Sequence, residues 1–528
     1  MRWMAAILGV LLVGLLVLPW LARPSDPRDG VVDGPTLVII TPHTEQIRYE
    51  YERAFSRWHE ANFGEPVRID WRAPGGTSEI RRLLIDQYQA AIRNGEYEYL
   101  PDGEGGGEVV IEPGRMGYDL LFGGGSYEHG QMERGFTANV DVGGGATQEM
   151  RVPISVPAGF SQEQLDEWFG LNEIGNQLLY QPEQYWIGTA LSGFGIIFNI
   201  DLYTERGMET PTGFEDLTDP RLMGLVALAD PRQSGSITTT FDSILNAYGW
   251  DDGWRILREL AANTRYFTSA ATKPPLDVAA GEAMAGLAID FYGRTQSQAV
   301  TAPGAPPESS RVGYVDPVGA VYIDADPASI LRGGPNPELA RRFIEFCLTE
   351  QAQSLWQFPA NPEQDGAEPV GPERYELRRA PVRRVMYEKY ADRFIDRLDP
   401  FAAAAKVDSR GWRSAIPVMM GAFGVDSDGE LQRAWAALWE LRERAAGDPS
   451  WASVLAEAET AFYAFPTQEV VGEDNQARVL EFNEQNYRPI RNVWRDPEAA
   501  AEARIAYMAF FRDRYREVEE LASRGRPD

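Results

Sequence analysis

The stretch Val226–Ile244, VALADPRQSGSITTTFDSI, joins a predicted buried strand to a predicted helix. The strand, Val226–Ala229, is short and apolar, and Pro231 ends it because proline has no backbone N–H to donate. Ser234–Ser236 then supplies small residues at the start of the helix, where the first backbone N–H groups have no partner inside the helix. A loop of this kind is either an ordinary helix cap or a binding site for a phosphate, sulfate or carboxylate. Its surroundings decide between the two.

Length and charge set the first limits. The chain has 528 residues, which predicts two or three compact units, and 44% of them are hydrophobic, which is enough for buried cores. The formal net charge of -29 argues against nucleic acid or an anionic membrane surface as a partner, because both would be repelled. An acidic surface of this kind suits a water-soluble domain.

Cysteine and histidine are too scarce for a metal centre built from them. Cys347 is the single cysteine, which excludes an intramolecular disulfide and a multi-cysteine metal site. The three histidines, His43, His59 and His129, leave little material for a histidine-based site. We therefore predict no cofactor.

Residues 1–23 are predicted to be a membrane anchor or a signal segment. The run Met4–Ala22 carries no charge over about 19 residues, close to the length that crosses a bilayer. Trp20 stands where a signal cleavage site would need a small residue, which favours an uncleaved anchor over a cleaved signal. Residues 24–35, rich in Pro, Gly and Asp, are predicted to be a spacer, with the bulk of the chain outside the cytoplasm.

Strands and helices alternate after the spacer. Thr36–Thr41 and Val67–Trp71 are predicted strands, Thr44–Asn62 is a predicted amphipathic helix, and Gly75–Ser78 opens another helix. This order predicts an α/β unit with a mostly parallel sheet, whose ligands bind at the carboxyl ends of the strands. The predicted units are a first α/β lobe at 36–184 with a glycine-rich hairpin or loop inserted near 94–115, a second α/β lobe at 185–322, helices returning to the first lobe at 323–400, and a helical extension at 401–528 that forms an additional bundle.

Four later stretches follow one another in a characteristic order and spacing. They are Gly188–Tyr203 (GTALSGFGIIFNIDLY), Leu217–Ser236 (LTDPRLMGLVALADPRQSGS), Asp277–Arg294 (DVAAGEAMAGLAIDFYGR) and Leu339–Trp356 (LARRFIEFCLTEQAQSLW). Together with the strand and helix around Ile39 to Phe55, they resemble the extracellular solute-binding proteins of ABC importers, in the branch of ferric-ion and organophosphate receptors. The resemblance covers roughly residues 36 to 360 and implies the two-lobed type 2 periplasmic-binding-protein fold with a hinge.

The same resemblance implies a function. Such a receptor captures a small solute between two closing lobes and presents it to an ABC permease. It is expected to be a monomer on the periplasmic face, held at the inner membrane by residues 1–23, or free in the periplasm if that segment is cleaved. An enzyme is not expected, because the sequence has no nucleophile elbow, P-loop or paired metal motif. A membrane-tethered sensory or interaction protein that reuses the fold is an alternative, favoured by the acidic helical extension.

In ferric-ion receptors of this fold, adjacent tyrosines, a histidine and a glutamate hold the metal together with an anion. Tyr292 is similar to the first of those tyrosines, but Gly293 stands in place of the second. His43 lies near the position of the histidine, while glycines follow the strand Tyr118–Phe122 where the glutamate would stand. Because a hard ferric site needs several anionic oxygens, a metal cargo held by His43 and Tyr292 is the alternative reading.

The anion side of the predicted cleft has more candidates. One helix start in each lobe carries hydroxyl and free N–H groups, and two such starts facing each other would bind an oxyanion. Ser192 ends the hinge-proximal segment, and Asp290 lies near the end of the predicted strand Ala285–Tyr292. We therefore predict a small phosphorylated or sulfonated solute. The predicted ligand-binding residues are Thr77, Ser78, Ser192, Ser234, Gly235, Ser236, Asp290 and Tyr292.

Overall fold

The computed structural model describes residues 34–103, 106–302, 305–366, 368–397, 399–472 and 474–524. The predicted anchor at residues 1–23 and nearly all of the predicted spacer at 24–35 lie outside these ranges. Within the ranges, no helix is long and apolar enough to cross a membrane.

The strands are numbered in chain order. They are β1 Thr36–Ile40, β2 Arg68–Arg72, β3 Glu98–Pro101, β4 Gly107–Val110, β5 Leu120–Phe122, β6 Phe136–Gly143, β7 Ala146–Val152, β8 Ser155–Val156, β9 Ile187–Asn199, β10 Val226–Ala229, β11 Thr264–Thr268, β12 Ala285–Ile289, β13 Val312–Val315, β14 Ile323–Leu331, β15 Ala380–Pro381, β16 Thr467–Val471 and β17 Ala477–Glu481.

The α-helices follow the same convention. They are α1 Glu45–Phe63, α2 Thr77–Arg93, α3 Ser126–Arg134, α4 Gln162–Phe169, α5 Ile200–Glu205, α6 Gly235–Tyr248, α7 Trp250–Ala262, α8 Lys273–Ala280, α9 Asp290–Ala299, α10 Pro337–Cys347, α11 Glu350–Gln357, α12 Arg384–Tyr390, α13 Pro400–Ala403, α14 Ile416–Met420, α15 Asp428–Gly447, α16 Ala452–Tyr463, α17 Tyr487–Val493 and α18 Pro497–Ser523.

The long strand β9 runs through two lobes of one mixed sheet. Its first half, from Ile187 to Gly193, pairs antiparallel with β14, and its second half, from Phe194 to Phe198, pairs antiparallel with β12. The sheet order is β11-β10-β12-β9-β14-β5-β1-β2, and β13 also pairs with the second half of β9. All 13 residues of β9 are buried. The two lobes therefore share one central strand, and relative motion between them has to bend β9.

Parallel pairing is found where the sequence predicts it. β1 pairs parallel with β2 and β5, and β10 pairs parallel with β11 and β12. The carboxyl ends of these strands lead into loops that begin α1, α3, α6 and α9. Near 94–115, β3 and β4 form an antiparallel hairpin. A second hairpin, β6 and β7, was not predicted; its polar, alternating strands carry few buried residues.

Each lobe is stabilised by a large apolar core of its own. In the first lobe, Tyr51 and Phe55 of α1 pack with Phe343, Phe346 and Trp356 of the returning helices α10 and α11. The core of the second lobe includes the strand β10 and the buried faces of α6 and α7. Each aromatic side chain buried in this way removes a large apolar area from water.

The long helices of the extension, α15, α16 and α18, pack on one another, and their apolar residues also complete the core of the second lobe. Trp254 of α7 contacts the rings of Phe423 and Phe465, at centroid distances of 6.2 and 5.9 Å. The guanidinium of Arg258, also on α7, lies over Phe423, Phe465 and Phe511 at 4.6 to 5.1 Å. The extension also contains the β16–β17 hairpin and is therefore not purely helical. The extension covers apolar surface on α7 that would otherwise face water, and this burial stabilises its position.

Replacing Phe511 with alanine tests whether the extension shares the core of the second lobe. Phe511 is completely buried on α18, so Phe511→Ala is expected to cost about 3–5 kcal/mol of unfolding free energy. Denaturant unfolding followed by tryptophan fluorescence and circular dichroism measures it. Ile505 on the same helix is 64% exposed, and Ile505→Ala is expected to change stability by less than about 0.5 kcal/mol. A separate early transition of the extension, with the rest unchanged, would contradict a shared core.

Candidate functional site

A cavity of about 760 Å³ lies where the two lobes meet. Its walls come from the start of α2, the start of α6, β14 and the start of α9. The volume lies within the range of about 300–1,000 Å³ that small-molecule sites occupy. We call this cavity the cleft.

The structure brings most of the predicted residues together in the cleft. Seven of the eight line it: Thr77, Ser78, Ser192, Ser234, Gly235, Ser236 and Tyr292. They come from both lobes and from the shared strand β9. His43, named for the metal alternative, also lines the cleft.

Asp290 is the exception, and it is not among the residues that line the cleft. The predicted strand ends at Ile289, and Asp290 begins α9. Its carboxylate accepts a hydrogen bond from Arg294 at 2.8 Å, one turn along the helix, and Arg294 also lies 3.3 Å from Asp316. This pair stabilises the helix that replaces the predicted strand end. Burial raises the pKa of Asp290 to about 6, although Arg294 opposes the shift.

Two helix starts face each other across the cleft. A Cβ atom placed on Gly235, at the start of α6, would lie 3.4 Å from the Ser78 hydroxyl oxygen on α2. Ser234 caps α6, because its Oγ accepts a hydrogen bond from the Ile237 N–H at 3.3 Å. At α2, the Glu79 carboxylate accepts from the Gly76 N–H at 3.0 Å.

These caps leave N–H groups free on both sides. The first N–H groups of a helix have no partner within it. Among the described residues, the backbone N–H groups of Thr77, Ser78, Gly235 and Ser236 make no hydrogen bond, whereas the Ser78 hydroxyl donates to the Glu128 carboxylate at 2.9 Å. Both helix starts also carry a partial positive charge, which favours an anion between them.

Arg379 supplies the buried cation of the site. Its side chain is only 1% exposed, contacts the carboxylate of Asp326 and donates to the Ser192 hydroxyl at 2.5 Å. The guanidinium also lies over the ring of Phe291, at 4.3 Å. Its Nε is buried without a hydrogen-bond partner among the described residues. Burial alone would raise the pKa of Asp326, but Arg379 and His43 bring it below its ordinary value, so Asp326 is a carboxylate.

His43 lies beside this ion pair. Its Nε2 is 3.0 Å from Asp326 Oδ2 and 2.9 Å from a terminal nitrogen of Arg379. Burial lowers the pKa of His43, although Asp326 opposes the shift, and the neutral ring fits a site beside a guanidinium. In the ranges that the structure describes, no group of three or more His, Cys, Asp or Glu side chains is placed to hold a metal ion.

Asp324 is a further carboxyl group in the cleft, which Glu79 and Glu128 also line. It is 4% exposed, and its Oδ2 accepts from the Ser126 N–H at 2.9 Å. Its Oδ1 is buried and, within the described part of the chain, has no hydrogen-bond partner. Burial raises the pKa of Asp324 to about 6. The group therefore has an open position for a ligand hydroxyl.

Arg413 reaches the cleft from the extension. Its guanidinium donates to the Thr239 hydroxyl at 2.9 Å and to the Gly235 carbonyl at 3.0 Å, both on α6. It also lies 4.5 Å from the centroid of the Tyr127 ring, which belongs to α3 of the first lobe. Arg413 thus contacts both lobes beside the second helix start.

Sequence reasoning missed Arg379, Asp324, Asp326 and Arg413. The sequence did contain a signal for Asp324 and Asp326, because acidic residues at alternate positions of an otherwise apolar strand are unusual. Arg379 and Arg413 lie beyond residue 360, where the resemblance ends, in segments rich in arginine that are typical of exposed surface.

Comparison with known proteins agrees with this architecture. The family described as bacterial extracellular solute-binding protein matches residues 163–374. An uncharacterized protein of Haemophilus influenzae is 30% identical over 165 residues, which cover 31% of this chain and 44% of that one. Phosphoglycerate transport regulatory protein PgtC of Salmonella typhimurium is 23% identical over 169 residues, which cover 32% of this chain and 40% of that one. The chain thus spans less than half the length of these relatives.

Solved structures show weaker overall likeness. Iron-bound HitA from Pseudomonas aeruginosa has a TM-score of 0.46 and 16% identity, over 71% of this chain and 93% of that one. The periplasmic binding protein AfuA from Actinobacillus pleuropneumoniae has a TM-score of 0.44 and 16% identity, over 61% of this chain and 82% of that one.

The match to the family of bacterial extracellular solute-binding proteins covers the middle of the chain. It begins in α4 and extends through the second lobe into the segment before Arg379. The resemblance to the extracellular solute-binding proteins of ABC importers, predicted from the order of the stretches, is thereby confirmed. The mixed α/β fold with a helix-rich extension after it is likewise confirmed.

Replacing Asp324 with asparagine tests its raised pKa. Because the pKa is higher in the folded than in the unfolded chain, Asp324 lowers the unfolding free energy as the pH rises from about 4 to about 6, and the loss is constant above that. Asp324→Asn is therefore expected to raise the unfolding free energy at pH 7.5 by about 1–3 kcal/mol, and the gain should vanish below about pH 4. Denaturant unfolding across this pH range measures it.

Asp326→Asn is the matched control, since it removes the partner of Arg379. It should lower stability at pH 7.5 by about 3–5 kcal/mol because a buried guanidinium is left unpaired. A loss of stability in Asp324→Asn at pH 7.5, or a difference that does not change with pH, would contradict the assignment.

Proposed function

We propose that this protein is an extracytoplasmic receptor of an ABC importer that captures a small anionic solute, phosphorylated or sulfonated, between its two lobes. The observation that carries the proposal is the pair of helix starts, α2 and α6, which face each other across the cleft with free N–H groups. A relative of this chain is named for phosphoglycerate transport, which is in keeping with a phosphorylated solute.

The rest of the cleft suits the remainder of such a solute. Asp324 Oδ1 and Arg379 Nε are buried polar atoms without partners in the described chain, and a ligand with hydroxyl groups would satisfy both. Ser192 and Tyr292 add hydroxyl groups, and Phe194 adds an apolar wall. We therefore assign the oxyanion to the helix starts and the polar carbon skeleton to the Asp324 side.

A ferric cargo is less well supported by the same residues. His43 and Tyr292, the two side chains available to it, lie in the electrostatic field of Arg379. A guanidinium 2.9 Å from the histidine nitrogen repels a metal cation at that position.

Lobe closure is the expected response to the solute. β9 connects the lobes, and closure would bring the first-lobe start of α2 onto the second-lobe start of α6. The receptor would act as a monomer at the periplasmic face, anchored by residues 1–23, and hand its solute to a permease.

The helix-start serines provide the direct test. Ser234→Ala together with Ser236→Ala is expected to weaken binding of glycerol 3-phosphate by about 10- to 100-fold, because hydroxyl donors and the α6 cap are lost. Isothermal titration with glycerol 3-phosphate, sulfate, ferric ion and glucose measures it.

Ser161→Ala is the matched control. Ser161 caps α4 by accepting from the Gln164 N–H at 3.2 Å, and it does not line the cleft. This variant should lose about 0.5–2 kcal/mol of stability and keep full affinity. Binding of glucose alone, or unchanged affinity in the double serine variant, would refute the proposal.

A sensory or interaction protein is the second candidate, because the extension is built into the second lobe and reaches the cleft through Arg413. Small-angle scattering separates the two candidates. A receptor that delivers solute should become more compact with glycerol 3-phosphate, whereas binding without compaction would favour the sensory protein.

A further inference from the structure

A second cavity of about 650 Å³ adjoins the cleft. Tyr127, Thr239, Asp324 and Arg413 line both cavities, so the Tyr127 ring and the Arg413 guanidinium belong to the wall that they share. The far wall consists of extension residues. We call this cavity the second chamber; among its lining residues are Asp242, Tyr322, Arg413, Arg491, Trp494 and Arg495.

The three arginines of the second chamber form no close ion pair with the described part of the chain. Among the described residues, no carboxylate oxygen lies within 4.0 Å of the guanidinium groups of Arg413, Arg491 or Arg495. Other arginines of the extension do pair: Arg442 lies 2.9 Å from Glu459, and Arg504 lies 3.0 Å from Asp426. In a chain with a net charge of -29, guanidinium groups left unpaired around a cavity are available for a bound anion.

The acidic groups of the chamber do not cancel this charge. Asp242 and Asp324 are its two carboxyl groups, fewer than the three guanidinium groups. Each has a buried Oδ1 without a hydrogen-bond partner in the part of the chain that the structure describes. Burial raises the pKa of Asp242 to about 6, although Arg413 opposes the shift. When these carboxyl groups are protonated, each could donate a hydrogen bond to a ligand oxygen in the chamber.

We propose that the second chamber is an oxyanion-binding site that the extension builds beside the solute cleft. Arg491 and Arg495 hold the anion from the extension side, and Arg413 reaches it from the wall shared with the cleft. The site goes beyond the proposed function, since it binds an anion whether or not the cleft does. The anion is a free phosphate-like ion or the second anionic group of a solute whose first group lies at the helix starts.

Phosphate titration of the full chain tests the proposal. Isothermal titration calorimetry with inorganic phosphate is expected to show two sites in the wild type. Arg491→Gln together with Arg495→Gln should weaken one site by at least about tenfold, and Ser234→Ala with Ser236→Ala should weaken the other. Arg433→Gln with Arg516→Gln is the control for net charge, because these side chains are 59% and 65% exposed on α15 and α18; it should keep both sites.

The outcomes separate the two sites. The chamber is overturned if the Arg491 and Arg495 variant binds phosphate as the wild type does, or if the control loses as much. A single wild-type site that only the serine variant abolishes overturns the chamber and leaves the proposed function intact. A single site that only the arginine variant abolishes supports the chamber and counts against the cleft.

Fructose 6-phosphate and fructose 1,6-bisphosphate distinguish the two sources of the anion. If one solute serves both sites, the bisphosphate binds the wild type at least about tenfold more tightly, and the arginine variant loses that advantage. If the sites act separately, the two sugars bind alike while inorganic phosphate still fills the chamber. Both results support an anion site in the chamber.

Discussion

The buried ion pair between Arg379 and Asp326 holds the centre of the molecule. Asp326 lies on β14, Arg379 precedes β15, and their contacts reach His43 after β1 and Ser192 on β9. Four separate segments of the chain therefore meet at one pair of charges at the hinge. A buried pair of this kind is costly to assemble, but removing one partner leaves an uncompensated charge, which fixes the relative positions of the strands. The cleft opens directly beside this pair, and the same residues that fix the strands also line the cleft.

The extension changes what the fold can do. In the architecture of the first 400 residues, α7 would expose Trp254 and the aliphatic part of Arg258; the extension covers both and becomes part of the second lobe. Arg413 of the extension donates hydrogen bonds to α6 in the second lobe, whereas its contact with Tyr127 crosses to the first lobe. Closing or opening of the lobes would therefore change the contact between Arg413 and Tyr127.

The sequence predicts the framework well because the framework depends on local patterns. The strand Val226–Ala229 and the cap at Ser234 stand where they are predicted, since a short apolar run, a proline and a capping serine act over a few residues. Asp290 was misplaced because Ala285–Tyr292 is apolar throughout apart from one acid, and only the pairing of Asp290 with Arg294 shows that a helix begins there. Arg379 and Arg413 could not be found, since their importance comes from contacts with partners such as Asp326 and Tyr127, which lie far away along the chain. The position of the extension likewise follows from the unsatisfied face of α7, which periodicity within α15 or α18 does not reveal.

The cap and turn at Ser234–Ser236 lie across the cleft from Thr77 and Ser78 of the first lobe, and in the function proposed above these residues form the two halves of one anion site. Native mass spectrometry of the freshly purified protein tests this most directly, because a solute that co-purifies shows its mass without any choice of probe. The account predicts a bound small molecule whose mass and fragmentation include a phosphate or sulfonate group, and its loss when Ser234 and Ser236 are alanine. A bound neutral sugar or a ferric ion, retained in that variant, would contradict it.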